Sequence, residues 1–162
     1  MRANSIIRPK LTSYIKNTRV INYDITPVED AETGRTSYNH ERVTVKKTAR
    51  YGEIVSAIIR SRYNADEEFA VNNNFNIENP EQEDIDEYNE YQSFRVLAKI
   101  LAKVVLGKYT YQQLEANTVA ELDNLISQIE TVRGDDIVVS APYLKADKVN
   151  ALNEYINGAE GI

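Results

Sequence analysis

The sequence contains no cysteine and no tryptophan, and it has one histidine and one methionine among 162 residues. Without cysteine, the chain can form neither a disulfide framework nor a thiolate nucleophile. The single histidine, His40, cannot build a multi-histidine metal site, and no nucleophile-elbow motif exists to supply it with a catalytic serine. We therefore expect no metal site and no cofactor, and we interpret His40 as a solvated turn residue at the entry to a strand.

Long apolar segments are also missing. The longest candidate, residues 96–106, is interrupted by Lys99 and Lys103 and falls short of the ~20 residues that cross a membrane. The N-terminal residues lack the continuous apolar stretch of a signal peptide. We expect no membrane partner and no cleaved leader.

The motifs of common enzyme classes are absent too. The sequence contains neither a GxGxxG nor a GxxxxGK[ST] phosphate loop. Carboxylates are dense between Glu78 and Glu90, but no glycine provides the sharp turn of a calcium loop, so we interpret them as the solvated start of a helix. We predict that the protein is not an enzyme.

Charge is distributed unevenly along the chain. Residues 1–63 contain 12 Lys and Arg against 6 Asp and Glu, whereas residues 64–162 contain 7 against 19. Such polarity lets a subunit present opposite charges to different neighbours in an assembly. Eleven tyrosines supply flat apolar area with a polar tip, which suits contact surfaces as well as cores.

The pattern of apolar residues predicts an α+β fold. Residues 1–18 lack periodicity and include Pro9, so we predict a basic N-terminal arm. Two β-type runs, RVINYDITPVE and SYNHERVTVKK, flank a polar loop with Gly34, which predicts a β-hairpin or small antiparallel sheet. A mainly helical core of four to five helices is expected to follow.

The helices are predicted from caps and periodicity. The first runs from about Ala49 to Arg62, with Thr48 as its N-cap and an apolar stripe at helical spacing. Asn64 with Glu67 starts a second helix, which should bury Phe69 and Ala70 and end at residues 72–74.

A long third helix should begin at the N-cap Asn79 and end at Gly107. Thr118 with Glu121 begins a fourth, which should end at Gly134. Residues 135–142 favour a short extended stretch, and residues 146–157 a last helix ending at Gly158. We divide the chain into the arm, a hairpin-plus-helix module at 19–107, and a small helical unit at 108–162.

One part of the sequence resembles a known group of proteins. The segment ARYGEIVSAIIRSRYNADEEFAV, followed by EYNEYQSFRVLAK, resembles small virion-associated proteins of tailed bacteriophages and prophages of gut Bacteroidales. The resemblance covers roughly residues 19–106. It implies a virion-associated structural or assembly role and carries over no functional residues.

The leading hypothesis is a non-enzymatic virion component, made in the host bacterial cytoplasm, that binds capsid, portal-proximal, fibre or tail subunits or forms a homo-oligomer. The alternatives are an assembly chaperone absent from the mature particle and a nucleic-acid-binding regulator, which the net charge of −6 disfavours. The basic residues would steer or pair with a partner, and the tyrosines would pack against it. The interface candidates are Arg8, Lys10, Tyr14, Lys16, Arg19, Tyr23, Tyr38, Arg42, Lys46 and Lys47.

Overall fold

The computed structural model describes residues 1–133, 136–140 and 142–158. Within them a four-stranded antiparallel sheet is followed by six helices, which confirms the predicted α+β class with a mainly helical core. The strands are β1 (Arg2–Ser5), β2 (Thr12–Ile15), β3 (Thr18–Glu29) and β4 (Thr36–Lys46). The helices are α1 (Tyr51–Arg60), α2 (Ala65–Phe75), α3 (Gln82–Val105), α4 (Tyr111–Ala116), α5 (Val119–Arg133) and α6 (Lys145–Asn157).

The predicted hairpin forms the centre of the sheet. β3 and β4 pair antiparallel, and the strand order is β1-β4-β3-β2. In the loop between them, one oxygen of the Asp30 carboxylate accepts hydrogen bonds from the backbone N–H of Glu32 and Thr33 and from the Thr33 hydroxyl. These bonds fix the turn. The half of β3 after residue 25 is exposed, so the tip of the hairpin extends beyond the core.

Residues 1–18, which we predicted as an arm, supply both outer strands. β1 pairs with β4, and β2 pairs with β3, so residues 6–11 must cross the sheet from one edge to the other. The backbone carbonyl of Leu11 accepts from the Asn22 N–H at 2.8 Å, and that of Lys10 accepts from the Asn22 side chain at 2.8 Å. These bonds hold the crossing segment against the sheet, where Asn22 is buried.

The core lies between the other face of the sheet and the helices. Ile21 and Tyr23 of β3 belong to the same buried cluster as Ile58 of α1 and Phe94 of α3. The Tyr23 and Phe94 rings have centroids 6.3 Å apart. Burial of this apolar surface is the main favourable term in folding.

Two of the predicted helix starts are confirmed by capping contacts. The Asn64 side chain accepts from the backbone N–H of Asp66 and Glu67, and the Glu67 carboxylate accepts from the Asn64 N–H. Thr118 and Glu121 make the same reciprocal pair. Each pair satisfies N–H groups that have no partner inside the helix.

Other helix boundaries were predicted wrongly. The N-cap of α1 is Arg50 and not Thr48, and that of α3 is Glu81 and not Asn79. α2 continues through residues 72–74 to Phe75, whose ring stacks on Tyr88 of α3 with centroids 3.8 Å apart. This tertiary contact offsets the weak helix propensity of asparagine.

The buried side of α2 also differs from the prediction. Phe69 is 69% exposed and Ala70 is exposed, whereas Val71 is 2% exposed. Successive residues on an α-helix are rotated by about 100° around its axis. A prediction that is wrong by one or two positions therefore places an exposed residue on the buried side.

The predicted stop at Gly107 is confirmed. Gly107 has φ +68, its N–H donates to the Val104 carbonyl, and the Lys108 N–H donates to the Lys103 carbonyl. These two bonds form a Schellman motif, which requires the left-handed conformation that glycine adopts at little cost.

The helices after Gly107 share the core of the first module. Leu114 of α4, Leu122 of α5 and Leu152 of α6 are fully buried and belong to the same cluster as the sheet residues. The short helix α4 is the one that the sequence did not predict. Residues 136–140 are not part of a strand, and the predicted stop at Gly134 lies outside the described residues.

Candidate functional site

Three interface candidates converge at one end of the sheet. The Tyr14 ring is 51% exposed on the outer strand β2. The Arg19 Cζ atom lies 5.5 Å from the centroid of this ring, and the Lys47 Nζ atom lies 5.6 Å from it. Both distances are within the range of cation–π attraction. We call Tyr14, Arg19 and Lys47 the Tyr14 cluster.

The strand register explains why these side chains meet. Ile15 lies opposite Thr18, so a two-residue turn joins β2 to β3, and Lys16 enters it with φ 54. Tyr14 then lies directly opposite Arg19, which in turn lies opposite Val45 of β4. Residues opposite each other in an antiparallel pair project from the same face. The Lys47 N–H donates to the Asn17 carbonyl at 2.8 Å, which brings Lys47 beside the turn.

Arg19 is unusual because it is buried while two of its donor atoms have no polar partner among the described residues. The residue is only 8% exposed, and its Nε and Nη1 atoms make no hydrogen bond within the described part of the chain. A buried guanidinium normally has a carboxylate or carbonyl partner, because its desolvation is costly otherwise. An anion bound at the Tyr14 cluster would therefore accept hydrogen bonds from the Arg19 guanidinium and neutralise its charge.

The other basic candidates lie elsewhere. Lys46 is opposite Thr18 and so projects from the face of the sheet that is turned away from Arg19. Lys16 is exposed in the turn next to the cluster. Arg8 and Lys10 border a cleft of about 410 Å³, with apolar walls that include Val104 and Ile156.

Two of the candidate tyrosines are placed less favourably for contact with a partner. Tyr23 is 1% exposed and packs in the core, so its ring offers no surface to another protein. Tyr38 is half-buried on β4, opposite Ser5 of β1.

The interpretation of His40 as a solvated turn residue was wrong. His40 lies within β4 and is 2% exposed. Its Nε2 atom lies 3.2 Å from Arg42 Nη2, and its Nδ1 atom lies 3.3 Å from the Tyr38 carbonyl. Because a guanidinium can only donate, Nε2 is the acceptor and Nδ1 carries the proton. Arg42 also donates to the Asn22 side chain, so His40, Arg42 and Asn22 form a polar network within the sheet, which Asn22 connects to the Lys10 carbonyl.

Comparisons with protein-family models, with curated proteins and with solved structures found no match to this chain. Among the described residues, no helix has both the length and the apolar character needed to cross a membrane. Nor do these residues place three or more histidine or carboxylate side chains where they could hold a metal ion together.

A second group of charged residues surrounds a β-bulge in β3. Tyr23 lies opposite Glu41 and Thr26 opposite Asn39, so two residues of β3 face one residue of β4. Asp24, in the bulge, has φ 50 and forms an ion pair with Arg133 at the end of α5. A groove of about 400 Å³ lies beside this pair, and we call it the bulge groove. It is lined by Asp24, Thr26, Arg62, Glu90, Ser93, Phe94, Leu97, Val132 and Arg133.

The charges of the bulge groove neutralise one another. Arg62 pairs with Glu90 at 2.5 Å and lies over the Phe94 ring, 5.2 Å from its centroid. Burial lowers the pKa of the Arg133 guanidinium, but Asp24 and Tyr155 raise it by more, and the net shift is upward. Both arginines thus have a carboxylate partner, whereas Arg19 has none within the described part of the chain. Sequence reasoning missed this groove because Asp24 and Arg133 are 109 positions apart.

Tyr23 should make the chain sensitive to alkaline pH. Burial raises the pKa of its phenol above the ordinary value of 10.0, and the hydrogen bond with Ser61 lowers it by less. The unfolded chain therefore loses this proton first, so stability is fully present below about pH 10 and falls as the pH rises towards the folded-state pKa. We expect Tyr23→Phe to reduce the slope of unfolding free energy against pH in this window by up to about 1.4 kcal/mol per pH unit.

Chemical denaturation at a series of pH values from neutral to strongly alkaline would measure this slope. The phenol of Tyr111 is a suitable control, because this residue is exposed on α4. Tyr111→Phe should leave the slope as in the unmodified chain. An unchanged slope in Tyr23→Phe would show that the phenol of Tyr23 does not control alkaline stability.

Proposed function

We propose that this chain is a non-enzymatic structural or accessory component of a tailed-bacteriophage virion that binds other virion proteins. The observation that carries the proposal is the Tyr14 cluster, which combines an exposed aromatic ring with two cations at the edge of the sheet. Tyrosine and arginine are enriched at the energetic centres of protein interfaces. The proposed partners are capsid, portal-proximal, fibre or tail subunits, and the proposed location is the virion.

The distribution of charge and apolar surface supports the same proposal. The sheet is formed by the basic part of the chain, and Ile6, Ile7 and Ile15 are exposed on or near its outer strands. The helices α2 to α6 belong to the acidic part. A subunit with these two sides can contact an acidic neighbour through the sheet and a basic neighbour or solvent through the helices.

The amino-acid resemblance to virion-associated proteins of Bacteroidales phages gives the proposal its biological setting. The resembling segment forms α1, most of α2 and part of α3, and these helices contribute to the same buried cluster as the sheet. Under this proposal the helices stabilise the sheet, and the edge of the sheet contacts the other virion proteins.

Mass spectrometry of purified particles from the phage that encodes the chain tests the proposal. We expect the chain at a fixed copy number in mature particles. Detection in assembly intermediates but not in mature particles would instead identify an assembly chaperone. Absence from both would overturn the proposal.

A paired variant links incorporation to the Tyr14 cluster. We expect Tyr14→Ala with Lys47→Gln to lower incorporation by about tenfold or more, since interface centres contain the costliest truncations. The matched control is Tyr111→Ala with Lys99→Gln, which removes an exposed tyrosine and an exposed lysine from the helices. Equal incorporation of both paired variants would show that the cluster is not the contact surface.

A further inference from the structure

We infer that the outer edge of β2 accepts an extended acidic segment of a partner protein as a fifth strand, with a carboxylate of that segment bound by Arg19 and Lys47. This inference rests on the proposed function and adds to it the binding mode and the chemistry of the partner. It depends on three features of the sheet: the edge, the buried cation and the sign of the surrounding charge.

The edge is suited to strand addition. β2 is the last strand of the sheet, so within the described residues its outer side has no backbone partner. Tyr14 and Ile15 are exposed on it, at 51% and 62%. An open edge pairs readily with another chain, and the four residues of β2 match a short extended segment. An added strand would gain main-chain hydrogen bonds, with specificity set by side chains that alternate between the two faces.

The buried cation specifies the ligand. Arg19 is 8% exposed, so its charge cannot serve mainly to repel other strands from the edge. Its Nε and Nη1 atoms lack partners in the described chain, so the guanidinium has donor capacity left for a carboxylate. A side chain placed beside Tyr14 on a fifth strand would project from the face that carries Arg19, because directly opposite residues share a face.

The surrounding charge determines which partner fits. Pairing of β2 with β2 of a second copy would bring the exposed Lys16 and Lys47 of both copies together. Like charges placed in this way oppose association. An acidic strand from a different protein removes this repulsion and neutralises Arg19, so we assign the occupant to another protein rather than to a copy of this chain.

A titration of the full chain with short probe peptides, followed by amide NMR, tests the inference. The first probe is a capped five-residue peptide of alternating valine and glutamate, the second replaces glutamate with lysine, and the third is the glutamate peptide with alternate backbone nitrogens methylated. We expect the first probe to shift the signals of residues 12–15 and of the Arg19 side chain. The second and third should bind about tenfold more weakly, because they lose the ion pair and the backbone bonds respectively.

Variants of Arg19 separate recognition from folding. Arg19→Met fills a similar volume without the charge, and we expect it to weaken the glutamate peptide by about tenfold while the thermal midpoint does not fall. Arg19→Lys keeps the charge but not the planar guanidinium, and the affinity for the glutamate peptide should be intermediate. The matched control is Arg60→Met on an exposed position of α1, which should bind the peptide as the unmodified chain does.

Several outcomes would overturn the inference. These are equal affinity for the glutamate and lysine peptides, shifts that map away from β2, or unchanged affinity in Arg19→Met. Binding of a short oligothymidylate to the same residues more tightly than the glutamate peptide would assign the edge to nucleic acid instead. If particles contain the chain but the glutamate peptide does not bind to it, only the strand-addition mode is rejected. If the peptides bind but particles lack the chain, the virion role is rejected.

Discussion

Replacing Leu122 with alanine is expected to lower the free energy of unfolding of the whole chain by about 2–5 kcal/mol. Leu122 lies on α5, in the part of the chain for which the sequence predicted a separate unit, and it is 0% exposed. It belongs to the same buried cluster as Ile21 of β3 and Ile58 of α1. Truncation loses the transfer free energy of the side chain and leaves a cavity in that shared core.

Hydrogen exchange would show how far the effect of Leu122→Ala extends. If the core unfolds as one cooperative unit, slowly exchanging amides of β3 and α1 should lose protection together with those of α5. Val119→Ala on the same helix is the matched control, because Val119 is 44% exposed and should cost less than about 0.5 kcal/mol. Loss of protection confined to residues 108–158 would instead support a separate C-terminal unit, as predicted from the sequence.

The features predicted correctly from the sequence are the local ones. The Asn64 and Thr118 caps depend on a side chain three residues away, and the stop at Gly107 depends on one φ angle and two bonds of the last turn. Such signals are complete within a few residues, so they can be recognised without knowing the rest of the fold. The α+β class follows from the same local periodicities.

The features missed are those that depend on distant parts of the chain. Residues 2–5 become a strand because they pair with residues 38–41 of β4, and α2 continues because Phe75 stacks on Tyr88. His40 lies inside the sheet because β1 and β3 pair with β4 on its two sides. None of these partners is specified by the sequence near the residue concerned.

The candidate site shows the same division. Composition identified Tyr14, Arg19 and Lys47 among ten interface candidates, but only the strand register places them together. The burial of Arg19, which distinguishes it from the other cations, is also a tertiary property. The charge balance along the chain predicted a positively charged surface, whereas the positions of the side chains on it depend on the pairing of β2 with β3.

The ion pair between Asp24 and Arg133 is expected to be a strong link between the sheet and the helices. The Arg133 side chain is 20% exposed and that of Asp24 is 38% exposed, so water screens the pair only in part. We expect Asp24→Asn to lower the free energy of unfolding by about 1–3 kcal/mol, less than for a fully buried pair because of this exposure. Asparagine tolerates the φ of 50 at this position, so the substitution removes the charge without straining the bulge.

A double-mutant cycle would isolate the pair from its surroundings. We expect Asp24→Asn and Arg133→Met to show a coupling free energy of about 1–2 kcal/mol, since each removes one partner of the same contact. The pair between Arg62 and Glu90 is the internal control, because its side chains are 49% and 58% exposed and its coupling should stay below about 1 kcal/mol. High salt should reduce the control coupling more than that of Asp24 with Arg133, because exposed charges are screened more effectively. Equal couplings for the two pairs would mean that Arg133 stabilises the bulge no more than an exposed ion pair does.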